Sequence, residues 1–186
     1  MSEDERDETV VLDVLAHGRS EDDRPQHRKE PLVFAMGVAD FELYECVVAD
    51  PSAVSIGDRL ALDADVLENV TRIDYDDLPG GAASELEYAV ADLVSEDEAR
   101  FVDFYNEAQP ITLRLHQLNL LPGIGKKLRN TILDKRDRRP FESFEDLKSR
   151  VNGLHNPEEI LVDRIIEELR EDDLKYRTFV GREPED

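Results

Sequence analysis

The sequence predicts an α+β chain, with five short strands curling into a small barrel and an all-helical region after them. Three observations predict it. Between residues 9 and 75 the apolar residues come in short runs rich in Val, Leu and aromatics, separated by turn chemistry. From Pro79-Gly80-Gly81 onward they recur at helical spacing. The charge changes with the pattern: residues 1–110 hold 8 Lys+Arg against 29 Asp+Glu, and residues 111–186 hold 15 against 16.

The expected strands are TVVLDVL (9–15), LVFAMGV (32–38), FELYECVV (41–48), DRLAL (58–62) and VTRIDY (70–75), punctuated by Ala39-Asp40, Asp50-Pro51 and Ile56-Gly57. Five such strands in residues 1–80 suggest a barrel of the OB or S1-like kind. The polar insert RSEDDRPQHRKE (19–30) reads as a loop. A helical connector is expected over 81–110. There Ser84 with Glu87 and Ser95 with Glu98 have capping-box spacing, Leu86, Val90 and Leu93 mark one helix, and Phe101, Phe104 and Tyr105 the next.

After Pro110, the spacing of Ile111, Leu115 and Leu118 predicts a helix, and that of Ile124, Leu128 and Ile132 predicts another. A weaker copy of this pair follows. Phe144, Leu147 and Val151 form a helix that Ser143 and Asp146 can cap. Asn156-Pro157-Glu158-Glu159 then opens a helix carrying Leu161, Ile165 and Leu169. Residues 111–173 thus read as two helix pairs in tandem. The 174–186 tail, with LKYRTFV alternating, reads as a strand or an extended arm.

Between the helices of the first pair lies Leu121-Pro122-Gly123-Ile124-Gly125-Lys126-Lys127. Gly123 and Gly125 open backbone angles closed to other residues and let an anion approach the main chain. Ile124 can point back between the helices and anchor the turn. The amides that follow are the unpaired donors of a helix N-terminus, where the dipole also favours an anion. Lys126 and Lys127 are unfavourable in that first turn unless an anion binds. Arg129, Lys135, Arg136, Arg138 and Arg139 continue the basic stretch, against only Asp134 and Asp137.

This arrangement resembles the helix-hairpin-helix motif of non-sequence-specific nucleic-acid-binding proteins, some copies of which only pack helices. The second turn, Asn152-Gly153-Leu154-His155, has one glycine and no lysine pair and reads as structural. With R-R-P-F-E-S-F-E-D-L and the K-Y-R-T-F-V tail, nearly the whole chain resembles an archaeal family of uncharacterised proteins assigned to RNA binding and known as a domain of unknown function. That resemblance implies the fold, a nucleic-acid ligand and gene neighbours in translation and ribosomal RNA modification. It supplies no catalytic residue and no cofactor.

The chain has 186 residues and a formal charge of −22, with 17 Arg, 6 Lys, 23 Asp and 22 Glu. Such a surface suits concentrated salt, because net charge keeps a protein hydrated and soluble. No apolar run approaches the roughly 18 residues of a membrane span. The acidic start MSEDERDETV has no apolar signal region, so cytoplasm is the expected location. Cys46, flanked by Val47 and Val48, reads as a core thiol.

The candidate metal cluster is Asp74, Asp76 and Asp77, with solvated surface as the competing reading. His17, His27, His116 and His155 have no metal-ligand spacing. Phe41 and Tyr44 are candidates for base stacking on the barrel, with core packing favoured for Phe41. The expectation is a non-enzymatic RNA-binding protein without cofactor. A DNA-binding accessory protein of repair or recombination is one alternative, and an adaptor whose acidic barrel meets a basic ribosomal-type protein is another. A phosphate clamp does not distinguish RNA from DNA.

Overall fold

The computed structural model describes residues 7–181. Its strands are β1 (Glu8–Leu15), β2 (Leu32–Gly37), β3 (Leu43–Val48), β4 (Arg59–Ala61) and β5 (Leu67–Ile73). They form one antiparallel sheet in the order β4-β1-β2-β3-β5, curled as a half-barrel. Closure is where the sheet departs from expectation. Among the described residues β4 pairs with β1 and β5 with β3, and no ladder joins β4 to β5. Strand β4 is only three residues long, and β5 exposes five of its seven residues and turns at Asn69, whose φ is 45°.

The apolar run in β1 buries Val10, Val11 and Leu12 in succession. A core of Val11, Val33, Cys46, Val48, Val54 and Leu67 fills the inner side of the sheet. Burial pushes the Cys46 thiol up to about 11, so it packs as a small hydrophobe.

Five helices follow: α1 (Gly80–Glu96), α2 (Glu98–Glu107), α3 (Lys126–Arg138), α4 (Phe144–Arg150) and α5 (Pro157–Arg170). Ser84 and Ser95 lie inside α1 rather than at helix starts. The helix begins early because the Pro79 carbonyl already accepts the Ala83 amide at 2.9 Å. The Ser143 hydroxyl caps α4, accepting the Asp146 amide at 2.9 Å. Tyr105 of α2, wholly buried, donates its hydroxyl to the Pro157 carbonyl at 2.6 Å.

Residues 111–116 are not helical, although Ile111, Leu115 and Leu118 have helical spacing. Pro110 and His116 form an isolated antiparallel bridge, and the Leu115 carbonyl accepts the amides of Ile111 and Thr112 at 2.8 and 3.0 Å. The Thr112 hydroxyl accepts the amides of Arg114 and Leu115, and the Gln117 side-chain carbonyl accepts the Gln109 amide. These side chains compete successfully with helix hydrogen bonding. Only Gln117–Leu120 coils, as a 3-10 turn.

The described residues divide into two compact units, 7–89 with 168–181, and 90–167, the divisions falling within α1 and α5. In the first unit the tail is an arm rather than a strand. Its anchor is Glu168, completely buried, whose Oε1 accepts the consecutive amides of Thr178, Phe179 and Val180 at 2.6, 2.9 and 3.4 Å. The Gly181 amide adds a bond to the Asp40 carbonyl at 2.8 Å. No helix among the described residues is long and apolar enough to cross a membrane.

A carboxylate holding three amides is worth more than a neutral bond, so Glu168→Ala should destabilise the protein by about 3 kcal/mol in urea denaturation. Hydrogen exchange at residues 178–180 should accelerate in the same variant, and Glu168→Gln, which keeps one acceptor, should lose less.

Candidate nucleic-acid interface

The turn from Leu121 to Ile124 is a reversal with proline second and glycine third. Gly123 has φ 81°, and the Ile124 amide bonds the Leu121 carbonyl at 3.2 Å. Only glycine adopts that conformation without strain at this position of a type II turn. Leu121 and Ile124 are both buried, which leaves Gly125 and the start of α3 facing solvent. Gly125, the N-cap residue, has no side chain to accept an amide, so the first-turn amides of α3 remain open donors. A Cβ placed on Gly125 would meet nothing within 4 Å.

The second turn repeats this geometry 30 residues later: Gly153 has φ 95°, the Leu154 amide bonds the Val151 carbonyl at 3.2 Å, and Val151 and Leu154 are buried. The two turns come together. Gly125, Lys126, Lys127 and Thr131 from the first pair and Asn152 and Gly153 from the second line one open cleft of about 530 Å³. The sequence offered no sign that these segments meet.

The predicted basic residues separate into three groups. Lys126, Lys127 and Lys135 have no ion-pair partner among the described residues, and Lys126 and Lys127 are exposed on the cleft. Arg129 is half-buried and bonds neutral groups, Asn119 Oδ1 at 3.0 Å and Asn130 Oδ1 at 3.2 Å. The remaining arginines are engaged by the fold. Arg136 donates to the Tyr105 carbonyl at 3.1 Å, Arg138 pairs with Asp134 at 3.4 Å, and Arg139 pairs with Asp146 at 3.5 Å. From Ala108 to Leu133, moreover, there is no Asp or Glu in 26 residues of a chain that holds 45 in 186. The second turn lies in another acid-free run, 147–157.

Asn119 organises the first turn. Its Oδ1 accepts the His116 amide and the Arg129 guanidinium, and its Nδ2 donates to the Ile124 carbonyl at 3.2 Å. His116 is 5% exposed, and its Nδ1 accepts the Leu118 amide at 3.1 Å. Burial, with Arg136 and Arg129 nearby, lowers its pKa below 6.5, so it serves as a neutral ring with the proton on Nε2. Sequence reading placed His116 among ordinary residues and passed over Asn119, because neither belongs to a recognisable spacing.

The other candidates take structural places. Asp74 and Asp77 form a reciprocal capping box around the 3-10 turn Tyr75–Asp77. Phe41 is completely buried at φ 59° and presents no face for stacking, while Tyr44 is half-buried and packs against the sheet core. His17, His27 and His155 are exposed.

Residues 5–181 match the family described as "Protein of unknown function (DUF655)". The chain is 39% identical over 175 residues to the uncharacterised protein MJ0038 of Methanocaldococcus jannaschii, a match covering 91% of this chain and 77% of that protein. It is similar to the crystal structure of Af1531 from Archaeoglobus fulgidus at a TM-score of 0.86 and 40% identity, covering 94% of this chain and 99% of that one.

The His116 assignment gives a pH dependence with a definite sign. A histidine whose pKa is lowered on folding contributes stability that is fully present above its unfolded value and lost as pH falls through the window below 6.5. Asparagine also caps well. His116→Asn should therefore keep the turn while removing this part of the acid sensitivity, as followed by thermal unfolding between pH 7.5 and about 5.

Proposed function

The chain belongs to the DUF655 family, and for this member we propose a non-enzymatic RNA-binding role in which the backbone phosphates are gripped at the Gly123–Lys127 turn. The observation that carries the reading is the pair Lys126 and Lys127. In a chain of charge −22 most cations of the second unit are matched to carboxylates or carbonyls, yet these two stand unpaired at the positive end of α3, on a cleft between two glycine turns. Two cations there cost stability through the helix dipole, and a phosphate bound by the open amides removes that cost.

In this reading residues 117–138 act as a helix-hairpin-helix in which a single 3-10 turn stands for the first helix. Residues 144–170 are its second copy, and the half-barrel is an OB-like sheet attached to them. Sequence independence follows from contacts made to phosphate rather than to base edges. The acid-free segment keeps carboxylates away from the polyanion, while the carboxylates elsewhere keep the protein soluble in salt. The family resemblance favours RNA over DNA, with the translation machinery as the setting.

Gly125 gives the test its discrimination. Its φ of −86° and ψ of −171° suit any residue, and its missing Cβ faces open space. Gly125→Val should therefore leave the thermal transition nearly unchanged and still abolish binding of a labelled single-stranded RNA in fluorescence anisotropy. Lys126→Glu with Lys127→Glu should weaken that binding about tenfold or more; binding equal to wild type would refute the clamp.

The same assay run against KCl concentration reads the number of phosphates. At about 1 M salt the Debye length is about 3 Å, so short-range amide contacts must supply the affinity. A shallow slope, equivalent to about two to four phosphates, with binding persisting at molar KCl is expected. A slope equivalent to six or more, with no binding left, would indicate a diffuse basic patch instead; duplex DNA serves as the comparison.

A further inference from the structure

Leu113 is the most exposed large hydrophobic residue described, at 106% relative accessibility. It does not sit on a floppy segment. The tip Thr112–Leu115 is closed by the Leu115 carbonyl, which accepts two amides, and by the Thr112 hydroxyl, which accepts two more. Below the tip, the Pro110–His116 bridge and the paired Gln109 and Gln117 make the stem. A fixed, solvent-facing leucine gains nothing for the fold from its side chain, since a polar residue would satisfy the same turn.

The stem is bonded to the clamp. The His116 amide and the Ile124 carbonyl meet on one side chain, Asn119. Leu113 is three residues from His116, hence within about 10 Å of it. Arg114, beside it, is exposed and has no ion-pair partner among the described residues. The loop and the clamp lie in the same 26-residue acid-free segment. An aliphatic side chain next to an exposed guanidinium, in a segment without carboxylates, suits a polyanion whose flat apolar bases can be parted.

We propose that Leu113 is a wedge that enters between unstacked bases while Arg114 contacts the adjoining phosphate, so that the preferred ligand is RNA with an unpaired segment beside the gripped backbone. The proposal rests on the RNA-binding role of the clamp. Aliphatic wedges of this kind part base steps at a cost least where the bases are already unpaired. Duplex RNA would be held by the clamp alone.

The test uses the full chain and two probes, an RNA hairpin carrying 2-aminopurine in its loop and the fully paired duplex of the same stem. Anisotropy reads binding and 2-aminopurine fluorescence reads unstacking. Wild type should prefer the hairpin and raise its fluorescence. Leu113→Ser, at an exposed site that leaves folding intact, should lose the fluorescence rise and about tenfold in hairpin affinity while binding the duplex as before. Leu113→Met should retain both. A Leu113→Ser protein with wild-type fluorescence change and preference overturns the wedge and leaves the clamp standing. Failure of wild type to bind either RNA overturns the clamp, and the wedge with it.

Discussion

A chain reversal that buries an aliphatic residue and still leaves its following amides open to solvent constrains the backbone severely. Both turns of the second unit meet that constraint in the same way, with glycine at positive φ in third position and a buried Ile124 or Leu154 immediately after. A side chain at φ near +81° would cost about 1–2 kcal/mol, and relief of that strain would rotate the amides that follow. Every feature of the candidate site depends on these two reversals. The start of α3 points outward because Ile124 points inward, and the cleft exists because the second turn lies against the first. Asn119 then locks the arrangement, since one planar amide satisfies a backbone donor, a backbone acceptor and a guanidinium.

Electrostatics separates the cations that hold the fold from those that are left over. Arg150 illustrates the first kind. It stacks 4.6 Å from the Phe141 ring centroid, pairs with Asp146, and donates to the carbonyls of Lys135 and Arg139 at the end of α3, where a cation favours the helix dipole. Lys126 and Lys127 are the second kind, placed at the opposite end of the same helix. Helix α3 is thus met at its C-terminal end by a cation from α4 that stabilises it, and carries at its N-terminal end two that do not. A tension of this sort, in a protein so rich in carboxylates, is how a sequence departs from local consistency where it binds something.

Strand and helix content was legible because it depends on local periodicity: the runs around Val11, Phe34 and Cys46 and the faces of α2, α3, α4 and α5 all lie where spacing puts them. The first glycine turn was legible for the same reason, because Pro122 and Gly123 act on their own backbone, whereas Gly125, expected to need angles closed to other residues, is extended at φ −86° and matters only for its missing side chain. The helix expected over 111–118 failed since periodicity cannot see that Thr112 and Gln117 turn their side chains onto neighbouring amides. Barrel closure failed because it requires two distant edge strands to meet.

The sequence by itself determined the α+β composition, the order of the elements, the acidic surface and the one turn at which lysines oppose a helix dipole. Tertiary structure alone decided which cations remain unpaired among the described residues, that Gly153 lies across a cleft from Lys127, that Glu168 gathers the tail, and that Leu113 stands fully exposed. The division has a physical reason. Backbone preference and periodicity act over a few residues and can be read along the chain, whereas the cleft joins residues 21 to 28 positions apart and the Glu168 anchor reaches 10 to 12 positions along the chain, and those meetings are fixed by the packing of the whole core.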